Sequence, residues 1–288
     1  TSEIVDYLKK PLVISCMDDY YNCNKNEDSW LGRQVHRSFM KSVRATMKRA
    51  SAIFTICDSM TKDYAKMFGV QCYTLHTPTK EVELNFEKDA NRISYIGNVG
   101  HERDDQLVEI GRALKKIETK GAPKFIDVYS AEKRPEVLKK LTEENGIKFH
   151  GAISAEEVLK VMAGSIAVIH TESFNEKTKN TVKYSVSTKI AESLMYGPCL
   201  IAFGPSGIAS IDYLKSEGAA FVITEPEKLQ ASLKKFLDNK LEREIILKRA
   251  RDLALKNHRL SVNEKKVRLW LNQIIEQERM KSNESSSN

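Results

Sequence analysis

Apolar runs that read as strands alternate with amphipathic segments that read as helices along the whole chain. This alternation is typical of α/β folds built on parallel sheets. Strand-like runs begin near residues 93, 125, 147, 165, 199 and 220, which predicts one complete doubly wound domain. Residues 1–80 contain only about three such runs, fewer than a typical sheet needs. We therefore expect residues 1–80 to be the second half of a domain whose first half is absent.

Local signals predict helices and loops within the complete domain. Ser154 and Glu157 have the spacing of a capping box, which predicts a helix start. Residues 171–183 are polar, carry charges of both signs and are predicted to form a loop. Apolar side chains share one face of the helix predicted after residue 100, and they are Leu107, Ile110, Leu114 and Ile117.

The composition is that of a globular protein. The 288 residues are 41% hydrophobic with a mean hydropathy of -0.43, and no apolar run approaches the ~20 residues that span a bilayer. The chain starts at Thr1 and shows no signal peptide, so we expect a fragment of a cytoplasmic protein. The cysteines are scattered and lack the spacing of a zinc site, so we expect buried free thiols in a reducing compartment.

Basic residues outnumber acidic residues, and the formal net charge is +7. Many of the lysines and arginines lie after residue 233 and in the helix predicted over residues 32–52. Solvated helix faces explain most of this excess, because the basic residues alternate with Leu and Ile at helical spacing. Peripheral contact with the anionic inner face of a membrane is a second hypothesis. Aromatic residues are not interleaved with the basic clusters, so we expect no nucleic-acid partner.

The segment from residue 184 to residue 204 reads YSVSTKIAESLMYGPCLIAFG and contains three consecutive signals. Ser187 or Thr188 can cap the start of a helix, and Gly197 with Pro198 ends it. The apolar run at residues 199–203 suits a strand that is covered on both faces of a parallel sheet. This segment therefore predicts a short helix followed by a buried strand.

Lys189 and Glu192 lie three residues apart in that short helix, so they share one face near its positive N-terminus. A cation, hydroxyl groups and a carboxylate at a helix start can hold a phosphorylated, hydroxyl-rich ligand. The alternative is a solvated ion pair on an ordinary helix, since such pairs are common. The spacing alone leaves both interpretations open.

Further candidate contacts follow the predicted strands, because ligands of open α/β sheets bind outside the carboxyl ends of the strands. A GNVG loop follows the first strand of the complete domain, where backbone N–H groups and an arginine can receive a diphosphate. A glycine after the third strand lets a flat base approach the backbone. An imidazole and a carboxylate after the fourth strand suit sugar hydroxyls. Ordinary turns and solvated loop residues are the alternatives at these places. The candidate residues are Gly97, Asn98, Arg103, Gly151, Ala152, His170 and Glu172.

Together these segments resemble a known family. ISYIGNVG, FHGAISAEEV and SVSTKIAESLMYGPCLIAFGP resemble the nucleotide-binding half of GT-B glycosyltransferases of the retaining family 4 type. ASAIFTICDSMTKDYAKMFG, followed by HTPT, resembles the last strand–helix units of that family's acceptor-binding domain. The resemblance covers about residues 10–270 and implies an α/β fold of the GT-B type. The implied parts are an acceptor-side Rossmann-like domain, of which residues 1–86 are the C-terminal part, a nucleotide-sugar-binding Rossmann-like domain at 87–262, and a C-terminal helix with a disordered tail at 263–288.

The resemblance also implies roles for individual residues. Glu192 matches a glutamate that grips the nucleotide ribose. Arg103 and Lys189 match contacts to the diphosphate, and the loop at Gly151 matches the contact to the base.

Two positions depart from the family pattern. The family often has a second glutamate eight residues before the first, and here Tyr184 stands at that position. A lysine that usually follows the arginine is absent, and Asp104 with Asp105 stand near its place. These departures favour, as an alternative, a non-catalytic module that binds a nucleotide or a sugar phosphate. The sequence identifies no catalytic residue.

The implied activity is transfer of a sugar, of the hexosyltransferase type, from a nucleoside diphosphate sugar to a saccharide or lipid-linked acceptor, with retention. The implied role is bacterial cell-surface polysaccharide or glycoconjugate synthesis. We expect no cofactor and no metal, because helix N-termini and basic side chains can stabilise the leaving diphosphate. Asp18 and Asp19 are adjacent, so on a strand they would face opposite ways and could not both chelate one ion. A place in an interdomain cleft and an ordinary turn remain equal alternatives for this pair.

Overall fold

The computed structural model describes residues 7–8, 10–19, 29–81, 91–119 and 121–286. The chain divides into two compact units. The first unit comprises Thr1–Thr77, Tyr184–Val186 and Leu260–Asn288, and the second comprises Pro78–Lys183 and Ser187–Arg259. The domain border predicted between residues 86 and 87 lies outside the described residues.

The described part of the first unit contains a parallel sheet in the order β1-β2-β3. Its strands are β1 (Val13–Cys16), β2 (Ala52–Thr55) and β3 (Cys72–Thr74), connected by helices α1 (Trp30–Lys48) and α2 (Asp58–Phe68). The C-terminal helix (Leu260–Ser286) belongs to the same unit. Its Trp270 ring stacks on Tyr73 with a centroid distance of 4.8 Å and lies 5.7 Å from the Phe54 ring. These aromatic contacts join the C-terminal helix to the sheet.

The second unit is built on a six-stranded sheet in the order β6-β5-β4-β7-β8-β9, in which neighbouring strands are parallel. This is the order of a doubly wound sheet, in which the chain winds outward from the centre in both directions. The predicted fold class is therefore confirmed. The strands are β4 (Ile93–Ile96), β5 (Ile126–Tyr129), β6 (Ile147–Gly151), β7 (Ala167–Thr171), β8 (Cys199–Phe203) and β9 (Phe221–Ile223).

Helices follow most strands of this sheet and cover its two faces. They are α3 (Arg103–Lys115), α4 (Pro135–Leu138), α5 (Ala155–Gly164), α6 (Glu176–Val182), α7 (Thr188–Tyr196), α8 (Ala209–Ser216), α9 (Leu229–Asp238) and α10 (Lys240–Leu253). A π-helical turn (Ala254–His258) follows α10.

Helix α3 buries the apolar face that the sequence predicts, and no side chain on that face exceeds 2% exposure. At the same helix, Gly111 approaches the backbone of the turn before β6. A Cβ atom at Gly111 would lie 2.3 Å from the carbonyl oxygen of Asn145. Only glycine fits this contact between helix and turn without a backbone shift.

The predicted helix starts are confirmed, and one predicted loop is wrong. Ser154 and Glu157 form both hydrogen bonds of a capping box at the start of α5. Ser187, and not Thr188, is the N-cap of α7. Within the predicted polar loop at 171–183, the chain forms α6, whose N-cap Asn175 accepts hydrogen bonds from two backbone N–H groups. This helix is polar on nearly all sides, so it gives no apolar periodicity.

The cysteines Cys16, Cys57, Cys72 and Cys199 are buried and unpaired, as predicted for free thiols. Cys23 lies outside the described residues. Measured by length and hydropathy, none of the helices in the described part of the chain qualifies as a bilayer-spanning segment.

Candidate functional site

A cavity of about 740 Å³ lies at the carboxyl edge of the six-stranded sheet. Its walls come from the segments that follow β4, β5 and β6 and from the first turn of α7. Doubly wound sheets bind their ligands at this edge, and the volume lies within the range of small-molecule sites. The lining residues are Ile96, Gly97, Asn98, Gly100, His101, Tyr129, Ser130, Ala131, Glu132, Arg134, Ala152, Ile153, Val158 and Lys189.

The loop after β4 is held in a tight turn by its own hydrogen bonds. The Asn98 side chain accepts a hydrogen bond from the Gly100 N–H at 2.7 Å, and the Tyr95 hydroxyl donates to the Asn98 carbonyl at 2.5 Å. Helix α3 begins directly after this loop, at Arg103. The positive end of its dipole therefore lies at the same strand end, and the N–H groups of Arg103 and Asp104 donate to the carbonyls of Gly100 and Val99.

Two residues of this loop have strained backbones. His101 and Glu102 have φ angles of 58° and 60°, in the left-handed region that non-glycine residues rarely adopt. The Glu102 carboxylate accepts hydrogen bonds from the hydroxyls of Ser173 at 2.6 Å and Thr178 at 3.0 Å. These bonds hold the strained turn in place. Burial, and secondarily Arg103, lower the pKa of His101, so its imidazole lines the cavity as a neutral group at pH 7.

The first turn of α7 brings a cation to the cavity. Lys189 lines the cavity, and its Nζ lies 2.8 Å from Oε2 of Glu192. The two side chains are 35% and 28% exposed, and Glu192 is not among the lining residues. The predicted ion pair therefore forms, and the same lysine faces a ligand-sized space.

Arg103 and Glu172 bind each other in a buried ion pair. The Arg103 guanidinium donates from Nη2 to Oε1 at 2.9 Å and from Nε to Oε2 at 3.1 Å, and Nε also lies 3.2 Å from the Thr171 carbonyl. The Glu172 side chain is fully buried, and burial raises its pKa although Arg103 acts in the opposite direction. Neither side chain lines the cavity.

His170 lies beside this ion pair and is also buried. Its Nε2 lies 2.9 Å from the Ser210 hydroxyl and 3.7 Å from Oε1 of Glu172. Burial, and secondarily Arg103, lower the pKa of His170 to about 3, so the imidazole is neutral at pH 7. The predicted alternative of solvated loop residues is wrong for His170 and Glu172.

The segment after β5 supplies a second charged pair, which does line the cavity. Arg134 donates from Nε to Oε1 of Glu132 at 3.0 Å and from Nη2 to Oε2 at 2.6 Å. The hydrogen bonds from the side chain and backbone of Arg134 lower the pKa of Glu132 to about 2. The pair therefore stays charged at any pH near neutrality.

The structure places the sequence-predicted residues in three groups. Gly97, Asn98, Ala152 and Lys189 line the cavity. Residues at its border are Gly151, which ends β6 with a φ of 77°, Ser187 and Thr188, which begin α7, and Glu192. Arg103, His170 and Glu172 form the buried cluster, and their contact with a ligand stays a prediction.

The segment from Tyr129 to Arg134 also lines the cavity, and the sequence did not predict it. It follows a predicted strand, so the rule that selected the other strand ends applies to it as well. Its residues SAEKR contain no glycine, and the charges read as a solvated turn.

Both departures from the family pattern have defined contacts. Tyr184 belongs to the first unit, and its hydroxyl donates a hydrogen bond to Asp63. Asp104 and Asp105 each accept from Nζ of Lys140, at 2.8 Å and 2.6 Å. In the first unit, Asp19 accepts a hydrogen bond from the Tyr64 hydroxyl at 2.7 Å.

Within the described residues, no three His, Cys, Asp or Glu side chains lie close enough together to hold a metal ion. This observation covers residues 7–8, 10–19, 29–81, 91–119 and 121–286 only.

A doubly wound unit with a cavity at its carboxyl edge and a second parallel-sheet unit in the same chain are the parts of a GT-B glycosyltransferase. A family model described as "Glycosyl transferase-like" matches residues 113–264, more than half of the chain. The chain belongs to this glycosyltransferase family. A search of curated protein sequences found no match.

Solved structures show the same fold at low sequence identity. WaaG, described as involved in lipopolysaccharide biosynthesis, is 15% identical with a TM-score of 0.63, over 92% of this chain and 79% of WaaG. HepE from Anabaena is 13% identical with a TM-score of 0.67, over 94% of this chain and 75% of HepE. TarM is 13% identical with a TM-score of 0.65, over 92% of this chain and only 50% of TarM.

Proposed function

We propose that this glycosyltransferase takes a nucleoside diphosphate sugar as its donor and binds the nucleotide in the cavity of the second unit. The cavity carries the proposal, because it joins a helix start, a lysine and a ligand-sized space at the carboxyl edge of the sheet. Two structures of the same fold support it. HepE was solved with UDP and glucose, and the pneumococcal O-GlcNAc transferase GtfA with UDP and GlcNAc.

The proposed donor lies along the cavity with its diphosphate at the loop after β4. The N-terminus of α3 and the Lys189 ammonium favour negative charge there. Glu192 accepts a hydrogen bond from a ribose hydroxyl, through the oxygen Oε1 that has no partner among the described residues. The base lies toward Ala152, next to the positive φ of Gly151.

The bond to the sugar breaks with the electron pair passing to the diphosphate oxygen, and that charge needs stabilisation. The Lys189 ammonium in the cavity and the positive end of the α3 dipole beside it supply that stabilisation. We propose that no metal and no cofactor takes part. We propose further that the enzyme transfers a hexosyl group with retention of configuration. The proposed acceptor is a saccharide or a lipid-linked molecule, and the proposed role is bacterial surface polysaccharide synthesis.

Binding of the donor is tested by titrating UDP, GDP and ADP into the wild-type chain and the Glu192→Ala variant. Loss of a charged hydrogen bond to the ribose lowers affinity for every nucleotide by roughly 10- to 150-fold. The matched control is Glu156→Ala, which breaks the exposed ion pair with Lys160 on α5. Equal affinity of all three proteins would remove Glu192 from the site, and no binding to the wild-type chain would refute the donor site itself.

The alternative is a module that binds a nucleotide or sugar phosphate without transferring sugar. Tyr184 favours it, because its hydroxyl is bound to Asp63 where the family often places a glutamate. Release of the nucleoside diphosphate from the donor, measured with the full-length protein and its acceptor, separates the two. Nucleotide binding without release supports the alternative.

We also propose that α1 contacts an anionic membrane surface, with the protein on the cytoplasmic side. The 19 residues of α1 include no Asp or Glu, and no residue of the helix is buried. Trp30, Val35 and Phe39 are 67%, 63% and 58% exposed beside several basic residues, which is the pattern of an interfacial helix. Vesicles containing phosphatidylglycerol should carry the protein in flotation, and Phe39→Asp should abolish this. Equal flotation with neutral vesicles would refute the electrostatic part of the proposal.

A further inference from the structure

The cavity extends in one direction from the centre of the sheet. Among the described residues that line it, Lys189 in the first turn of α7 is the one that comes after β7, and none follows β8 or β9. Strand β4 lies in the middle of the sheet, and β5 and β6 lead to one edge. A nucleotide whose diphosphate lies at the loop after β4 therefore has room for its base only toward β5 and β6. This step rests on the proposed function.

The side chains at that end of the cavity suit a flat ring. Ala131, Ala152, Ile153 and Val158 are small or apolar. The charged side chains that line this end are Glu132 and Arg134. Any charged contact to the base from the lining residues must come from this pair.

Glu132 accepts four hydrogen bonds and fixes the orientation of Arg134. Its Oε1 accepts from the backbone N–H groups of Lys133 and Arg134, both at 2.8 Å, and from Nε of Arg134. Its Oε2 accepts from Nη2 of Arg134. The Glu132 side chain is only 8% exposed, whereas that of Arg134 is 53% exposed. The Nη1 group of Arg134 has no partner among the described residues. The pair therefore presents mainly the donors of the exposed guanidinium to a ligand, because the carboxylate is largely buried.

We propose that Arg134, held by Glu132, determines base specificity by donating a hydrogen bond from Nη1 to a carbonyl oxygen of the base. Uracil and guanine carry such an oxygen, at O4 and O6. Adenine carries an amino group at the equivalent place, which is itself a donor. The site therefore selects UDP- and GDP-type donors against ADP-type donors.

The proposal is tested by calorimetry with UDP, GDP and ADP on the wild-type chain, Arg134→Ala and Glu132→Gln. UDP and GDP should bind the wild-type chain about tenfold more tightly than ADP, since one charged hydrogen bond at a half-exposed group separates them. Arg134→Ala should lower UDP and GDP affinity to the level of ADP and leave ADP unchanged. Glu132→Gln, which loosens the arginine, should reduce the preference in part.

Arg112→Ala is the matched control, because Arg112 is an exposed arginine that hydrogen-bonds to Asn145 outside the cavity. It should leave all three affinities unchanged. Equal affinity of the wild-type chain for UDP, GDP and ADP would overturn the proposal. Uniform weakening of all three by Arg134→Ala would also overturn it, by assigning the arginine to the ribose or phosphate. Absence of any nucleotide binding would instead refute the proposed function.

Discussion

Substitution of Arg103 tests whether this arginine stabilises the fold or binds the diphosphate, as the sequence predicts. In Arg103→Met the carboxylate of Glu172 loses its counter-ion, and its side chain is 0% exposed. Breaking a buried ion pair from one side costs about 3–5 kcal/mol, because the remaining charge is uncompensated. Arg103→Met should therefore destabilise the second unit by this amount.

The reverse substitution, Glu172→Gln, should cost less, about 1.5–3 kcal/mol. The amide oxygen still accepts one hydrogen bond, and the guanidinium, 14% exposed, keeps its bond to the Thr171 carbonyl. In the double variant Arg103→Met, Glu172→Gln no charge is buried. Its cost should fall below the sum of the single variants by about 2 kcal/mol or more.

The free energy of unfolding is measured by urea titration, with Arg112→Met as an exposed control on the same helix that should change it by less than about 0.5 kcal/mol. The deficit of Arg103→Met should also depend on pH. Burial already raises the pKa of Glu172 above its ordinary value of 4.5, and loss of Arg103 raises it further. The unfolded chain then releases the proton first, so the deficit is present at neutral pH and disappears as the pH falls to about 4.5.

Unchanged stability of Arg103→Met, together with a large loss of UDP affinity, would refute this reasoning. That result would assign the arginine to the diphosphate. A deficit that is constant between pH 7.5 and 4.5 would show that the cost does not come from the Glu172 carboxylate.

Two further predictions concern packing and protonation. Gly111→Ala should lower the free energy of unfolding by about 1–3 kcal/mol in the same urea titration, because the alanine Cβ would lie 2.3 Å from the Asn145 carbonyl oxygen. A variant as stable as the wild-type chain would contradict this. The free energy of unfolding should fall as the pH falls from 6.5 toward 3, because the His170 imidazole is protonated in the unfolded chain and stays neutral in the folded protein. This fall is at most about 1.4 kcal/mol per pH unit. His170→Gln should remove the His170 contribution to it. An identical slope in both proteins would show that other groups cause it.

The sequence predicted the elements whose signals are local. The apolar face of α3 and the capping box of α5 each lie within one stretch of chain, so periodicity and spacing define them. Helix α6 gives no such signal, because Val182 is its only buried residue and hydrogen bonds to Asn175 and Glu102 hold its start. A helix fixed by capping and distant polar contacts cannot be recognised by its apolar pattern.

The position of the site could be predicted from the sequence, but the side chains that line it could be predicted only in part. Ligands of doubly wound sheets bind at the carboxyl ends of the strands, and this rule depends on topology alone. It correctly placed Gly97, Ala152 and Lys189 in the lining of the cavity. It could not show that Arg103 would bind Glu172, a partner 69 residues away, since both residue types also serve ligands. Side-chain pairing across the fold decides which charges remain for a ligand.

The C-terminal helix has a consequence for synthesis of the protein on the ribosome. Phe54 and Tyr73 leave the ribosome early, but Trp270, which packs on both rings, follows only after the whole second unit. At 5 to 20 residues per second, the nascent first unit waits roughly 10 to 40 s for this helix. Ribosome-bound chains that end before residue 260 should therefore expose the β1-β2-β3 sheet to protease, and chains released in full should protect it. The β1-β2-β3 sheet is therefore synthesised before the second unit, but its packing is completed after it.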